Sequence, residues 1–195
     1  RLEFDIRRGE DKDNASLDLK LDTHTLKLDL DSNLSDVTHL KTGLMGQYQN
    51  NFVNPDTGVR RLIPDYDKYD LGIYAIVDYQ LNQKLLLEAG TRFDYTYMNV
   101  FKFYQTSFWE SRNYDELFPE IVVEVYNNQI LTNPQPKFNN GSGTLGATYT
   151  FGEDYKVFFN YSVASRAPNP SELFSEGLHH SASRIEQGDL SFKSE

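Results

Sequence analysis

Four side chains between Arg166 and His180 have the types and spacing for ligand chemistry. His179 and His180 stand together, and Glu176 lies three and four residues before them. Neutral imidazole is a good ligand for zinc, copper, iron or nickel. Adjacent side chains on an extended strand point to opposite faces, so both histidines meet one ion with Glu176 only if the stretch coils. The other use of the pair is hydrogen bonding at a loop rim. Arg166 can fork two donors onto an anionic ligand, or it can fix its own loop by pairing with Glu172 or a backbone carbonyl. A third group, Glu88, Arg92 and Asp94, falls on one face of an alternating run. Its two carboxylates have no fixed separation of the kind a glycosidase requires. The sequence has no Gly-rich phosphate loop and no nucleophile elbow, and with no cysteine it has no thiol nucleophile. We therefore expect no enzyme. His24 and His39 are isolated and are expected to be structural.

The elements that must position these residues are strands. Tyr155, Val157, Phe159, Tyr161 and Val163 alternate with Lys156, Phe158, Asn160, Ser162 and Ala164, a period of two that predicts a β-strand with one apolar face. Pro168 and Pro170 end it, because proline offers no N–H to a ladder, and Ser171 is a candidate N-cap for a single helical turn. The same alternation runs through 2–7, 16–31, 40–48, 69–81, 85–97 and 143–151. In 16–31 it changes phase: Leu17, Leu19 and Leu21 have one parity, and Leu26, Leu28 and Leu30 the other. A β-bulge or a tight turn near His24 would account for that slip. Connections alternate in length, short at 32–36, 82–84 and 152–154, long at 50–68, 105–140 and 166–187. Short turns on one side and long loops on the other are the pattern of an up-and-down outer-membrane barrel, here of about eight strands. Within the longest connection, Ile121 to Val125 is a candidate short strand. Tyr104, Phe108, Trp109, Tyr114, Phe118 and Tyr126 lie in or beside it and can either capture a ligand or pack the loop into a cap.

Composition sets the outer limits. A net charge of −10 argues against binding a phosphate backbone, so no nucleic-acid partner is expected. Mean hydropathy is −0.60, and no stretch approaches the ~18 apolar residues of a spanning helix. It does not exclude spanning strands, which hide their apolar residues at alternate positions. The chain starts at Arg1 inside an alternating run and is read as one piece, 1–195, of something longer. Which solvent the apolar faces touch is open from pattern alone. A soluble β-barrel or sandwich binding protein with an acidic surface is the alternative to a membrane barrel.

Arg166-Ala167-Pro168, Glu172-Leu173-Phe174, Gly177-Leu178-His179-His180 and the closing Gly188…Lys193-Ser194-Glu195 follow one another in order after an alternating strand. This series resembles TonB-dependent outer-membrane receptors, with Asp189-Leu190 where the family has Asn-Pro and Ser194 where it has Pro. The resemblance implies an all-β antiparallel transmembrane segment, part of a barrel of roughly 22 strands. It implies a place in the outer membrane of a Gram-negative bacterium, with lipid as one partner. A second partner would be the TonB energy-coupling complex, reached through a plug domain not included here. The implied function is uptake of a metal chelate (siderophore or haem), a metal ion or a similar scarce nutrient, with no intrinsic cofactor. In some members the loop equivalent to 176–180 is His-rich, so His179, His180, Glu176 and Arg166 become ligand candidates, and Glu88, Arg92 and Asp94 become a lumen charge cluster that can touch the plug.

Overall fold

The computed structural model describes residues 2–7, 15–54, 62–152, 155–179 and 184–195. Long antiparallel strands dominate: β1 (Leu2–Arg7), β2 (Ala15–Ser35), β3 (Thr38–Val53), β4 (Asp65–Asn82), β5 (Leu85–Gln105), β8 (Lys137–Phe151) and β9 (Tyr155–Ala164). They pair in chain order, with β8 against β5. Two short strands, β6 (Val122–Val125) and β7 (Gln129–Thr132), extend the sheet beside the far end of β5. A separate hairpin is formed by β10 (Glu176–His179) and β11 (Arg184–Gln187). The short turns lie at one end of the sheet and the long connections at the other. The expected small strand in the longest connection is therefore β6, and that connection also carries α1 (Thr106–Ser111) and α2 (Tyr114–Leu117).

The sheet is open. Among the described residues β1 pairs only with β2 and β9 only with β8. This corrects the expectation of a transmembrane barrel segment of about eight strands: the strands form a nine-stranded open sheet and a two-stranded one. An open edge carries a row of N–H and C=O groups that hydrocarbon cannot satisfy, at several kcal/mol each. The expected outer-membrane location and lipid contact fall with the barrel. No described helix is long and apolar enough to cross a membrane, which by itself says nothing about strands.

The phase slip in β2 has a different cause from either one expected. Register with β3 is continuous from Leu19↔Val53 to Asn33↔His39, so there is neither bulge nor turn at His24. The leucines change face because the sheet's two faces are covered at different heights. At the loop end, Leu21 packs beside the buried Tyr66, Met98, Val100, Leu173 and Phe174. These residues lie on the face that is polar farther down, and the segment after β9 folds over it. Toward the turn end the apolar residues lie on the opposite face. There Leu26, Leu28, Leu71, Ile73, Leu145 and Val157 stay exposed. A row of rings, His24, Tyr48, Tyr69 and Tyr97, crosses four strands on that face with centroids 5.0–6.3 Å apart.

The covering segment opens with α3 (Pro170–Phe174). Its N-cap is Asn169, not the expected Ser171: the Asn169 side chain accepts from Glu172 N, and Glu172 accepts from Asn169 N in return. Pro170 at the first helical position has no N–H to leave unsatisfied. The chain later returns at Gly188, where Gly188 N donates to Ser175 O (2.7 Å) and Asp189 N to Glu172 O (2.9 Å). A Cβ on Gly188 would stand 2.5–2.6 Å from backbone atoms of Leu173 and Phe174, too close for any side chain. Gly188→Ala is expected to lower stability by about 1–3 kcal/mol through forced backbone displacement. Chemical denaturation checks this, and a loss below about 0.5 kcal/mol, the level of an ordinary surface change, would show that the two segments do not pack this closely.

Candidate functional site

Among the described residues, the side chains singled out by sequence lie in separate places. Glu176 is buried, and its carboxylate lies 3.0 Å from Lys102 Nζ, with side-chain exposures of 11% and 7%. Lys102 also donates to Phe174 O at 2.7 Å and sits 4.5 Å from the Tyr104 ring centroid. His179 lies opposite Arg184 in the β10–β11 register, and His180 is outside the described residues. No group of three or more His, Cys, Asp or Glu able to hold a metal ion occurs among the described residues. Arg166 makes the loop-fixing contact: Nη1 and Nη2 donate to Glu172 Oε2 and Oε1, both at 2.9 Å, and Nη2 also pairs with Glu195. The fork from Arg166, followed by the Asn169 backbone N–H, lowers the Glu172 carboxyl to about 2.

On the polar face Arg92 forks onto Asp94 through Nε (2.7 Å) and Nη2 (2.5 Å). Gly72 leaves space beneath the pair. Glu88 stands apart, exposed and opposite Asp78 in the register. The open sheet encloses no lumen, so these three residues are not the expected lumen cluster. Arg92 and Asp94 belong to a ladder of polar contacts. Tyr74 donates to Asp29 (2.5 Å), Lys27 pairs with Asp29 (3.0 Å), and Thr96 donates to Asp70 (2.7 Å). His39, expected to be structural, sits between Asp31 and Asp78. The Asp31 hydrogen bond is the main cause of its raised pKa. His24 has its place in the aromatic row.

Of the two uses foreseen for the aromatic segment, packing the loop into a cap is the one observed, and the recess beside it was missed by sequence reasoning. Tyr104, Trp109, Tyr114 and Ile130 are buried together, so most of the aromatic segment packs the loop. Trp109 and Tyr114 meet edge to face at 5.3 Å, and Tyr126 stays exposed against Phe103. Asp189 ties this cap to the returning chain, accepting from Tyr114 Oη (2.8 Å) and pairing with Arg112 (3.3 Å). Burial, then the Asp189 hydrogen bond, pushes the Tyr114 phenol up to about 12. Between the cap and the start of β4 lies a recess of about 440 Å³, walled by Pro64, Phe101–Gln105, Gln129 and Glu176. A lysine among apolar positions at the end of β5 was the available signal, but its partner is 74 residues away in sequence (176 − 102).

With this geometry in place, comparison with known proteins is informative. The profile described as "TonB dependent receptor-like, beta-barrel" matches residues 4–195. The chain belongs to this family. Members are receptor-like rather than catalytic, and this supports the expectation of no enzyme. Among solved structures, the chain is similar to the Serratia marcescens hemophore receptor HasR, determined as a double mutant with its hemophore HasA and heme. The TM-score is 0.63 at 13% identity, over 93% of this chain and 29% of that one. This likeness is one of fold, and the present chain spans less than a third of that receptor. No curated protein matches. Among the described residues the sheet of this TonB-family chain is open. The expected partnership with a TonB complex through a plug, the passage of a metal chelate or iron-siderophore through a barrel, and the transport role built on them do not hold for this sheet.

Two outcomes follow from the ion contacts. Lys102→Met removes the Lys102 cation from the buried Glu176 and is expected to cost about 3–5 kcal/mol, whereas Lys102→Met with Glu176→Leu costs clearly less than the two single changes summed. Denaturant midpoints measure the cycle, and strict additivity would show that the pair is not coupled. Glu172 is held below its usual 4.5, so its share of stability is complete above about pH 4.5 and disappears as pH falls toward about 2. Amide exchange in 169–175, corrected for intrinsic rates, should lose protection across that window, and Glu172→Gln should abolish the dependence. An unchanged profile in the variant would assign the acid step elsewhere.

Proposed function

We propose that this chain is a non-catalytic binding module whose ligand site is the recess at the loop end, between β5, the cap and β10. The observation that carries this reading is the placement of the Lys102–Glu176 pair. Two buried charges cost several kcal/mol each to desolvate, and here they stand at the wall of a cavity of ligand size rather than in a closed core. The surroundings suit recognition. Phe101 and Phe103 supply exposed aromatic surface, Gln105 and Gln129 supply adaptable donors and acceptors, and Glu176 supplies a fixed acceptor. A mainly apolar wall with a few placed polar groups is the usual composition of a binding site. The wall is stiff because β5 is bonded to β7 and backed by the packed rings of the cap. This reading belongs to the binding class given above as the alternative, and the net charge of −10 favours neutral or cationic ligands over anions.

The test is a protein-detected NMR screen with small amides, free amino acids and monosaccharides. Binders are expected to shift the amides of Phe101–Gln105, Gln129 and Glu176 together. Binding confined to other surfaces, or none across the set, would refute the recess as the site.

A further inference from the structure

Among the described residues the wall of the recess is an unused strand edge, and that narrows what it can bind. Along β5 the N–H groups of Met98, Val100 and Thr106 all point toward the β7–β8 side, donating to Pro136, Pro134 and Asn128 carbonyls at 3.1–3.2 Å. Backbone groups alternate along a strand, so Phe103 and Gln105 direct theirs to the opposite side. Farther down, that side is occupied by β4, whose last register pair is Asp65↔Phe101. Pro64 then stops the ladder, having no N–H to offer, and its carbonyl is taken by Asn51. The chain before it has turned away, with Leu62 O accepting from Glu176 N at 2.8 Å. Among the described residues nothing bonds to the Phe103 or Gln105 backbone on this side.

We propose that the recess binds an extended peptide segment, added as a short strand to the free edge of β5 at Phe103–Gln105. This deepens the binding reading above and rests on it. An N–H and C=O pair from Phe103, repeated two residues on by Gln105, matches the roughly 7 Å repeat of a strand. A sugar or a compact metabolite has no such repeat. The opposite edge of β5 is already fixed by β7, so the receiving strand is held in shape before the peptide arrives, as in strand addition generally. Side-chain preference follows from the faces. A residue opposite Phe103 lies beside the exposed Phe103 ring, whose far side meets Tyr126, and is best apolar or β-branched. Its neighbours point to the side of Lys102, Tyr104 and Glu176, where a hydroxyl or another neutral donor is accommodated without removing Glu176 from Lys102.

The probe is the capped peptide acetyl-Thr-Val-Thr-Val-Thr-amide, titrated by NMR against the wild-type chain, Phe103→Ala and Phe103→Pro. Alanine keeps the N–H that points into the recess. Proline deletes it and leaves the β7 ladder intact, because the bonds to β7 come from even-numbered residues. Shifts at Phe101–Gln105 are expected in wild type and in Phe103→Ala. Affinity should be weaker by about tenfold in Phe103→Pro, and also when the probe's central residue is N-methylated, the size expected for one lost enclosed hydrogen bond. The N-methylated probe carries the test if Phe103→Pro fails to fold. Equal binding of the N-methylated probe, or equal binding by a folded Phe103→Pro, would overturn the peptide assignment. So would absence of peptide binding while small amides still occupy the recess, an outcome that leaves the binding reading intact. If neither peptide nor small amides bind there, both fail.

Discussion

The ammonium of Lys102 is the point through which the two halves of the loop end are joined. It belongs to β5, the strand with neighbours on both sides for most of its length, and it reaches across to the Phe174 carbonyl and the Glu176 carboxylate while lying over Tyr104. Phe174 belongs to the covering segment and Glu176 to the small hairpin, while Tyr104 lies on β5 itself and packs into the cap. A charge so far from water is tolerated only where such contacts replace its hydration. Remove them and the sheet keeps its ladder, but the segments above it lose their common reference. Leu190, which packs against both buried clusters, does the same work with apolar surface.

Above that junction the sheet changes character. Farther down, its polar face is a lattice of short-range ion pairs and hydrogen bonds that need no cover. At the loop end the same face becomes Leu21, Tyr66, Met98 and Val100, and it is dry because α3 lies on it. The apolar residues thus exchange faces along a single straight strand. The exchange marks the footprint of the segment after β9.

Much of this was legible in the sequence. Alternation located the long strands, the spacing of turns gave their antiparallel order, and Arg166 with Glu172 was foreseen as a possible clamp. The slip of parity in β2 was also visible, but its cause was not, because a local pattern cannot distinguish an inserted residue from a change in what covers the face. Closure of the sheet was inferred from loop asymmetry and resemblance, and alternation carries no information about whether the first and last strands meet. The Lys102–Glu176 pair and the recess depend on contacts distant along the chain. The His179–His180 doublet drew attention because its chemistry is conspicuous, whereas the strand edge exposed by Pro64 is silent in composition.

The fastening of the cap also bears on how the protein can change over time. A few polar anchors, Asp189 to Tyr114 and Arg112, Arg166 to Glu172, and Lys102 to Glu176, hold the outer layer to its scaffold. The stretches between them, such as Asp115–Leu117 and Val123–Gln129, lie in the open. Replacement there alters the outward chemistry and leaves the foundation undisturbed. A lineage can thus revise what this end of the molecule meets without rebuilding the wall that holds it.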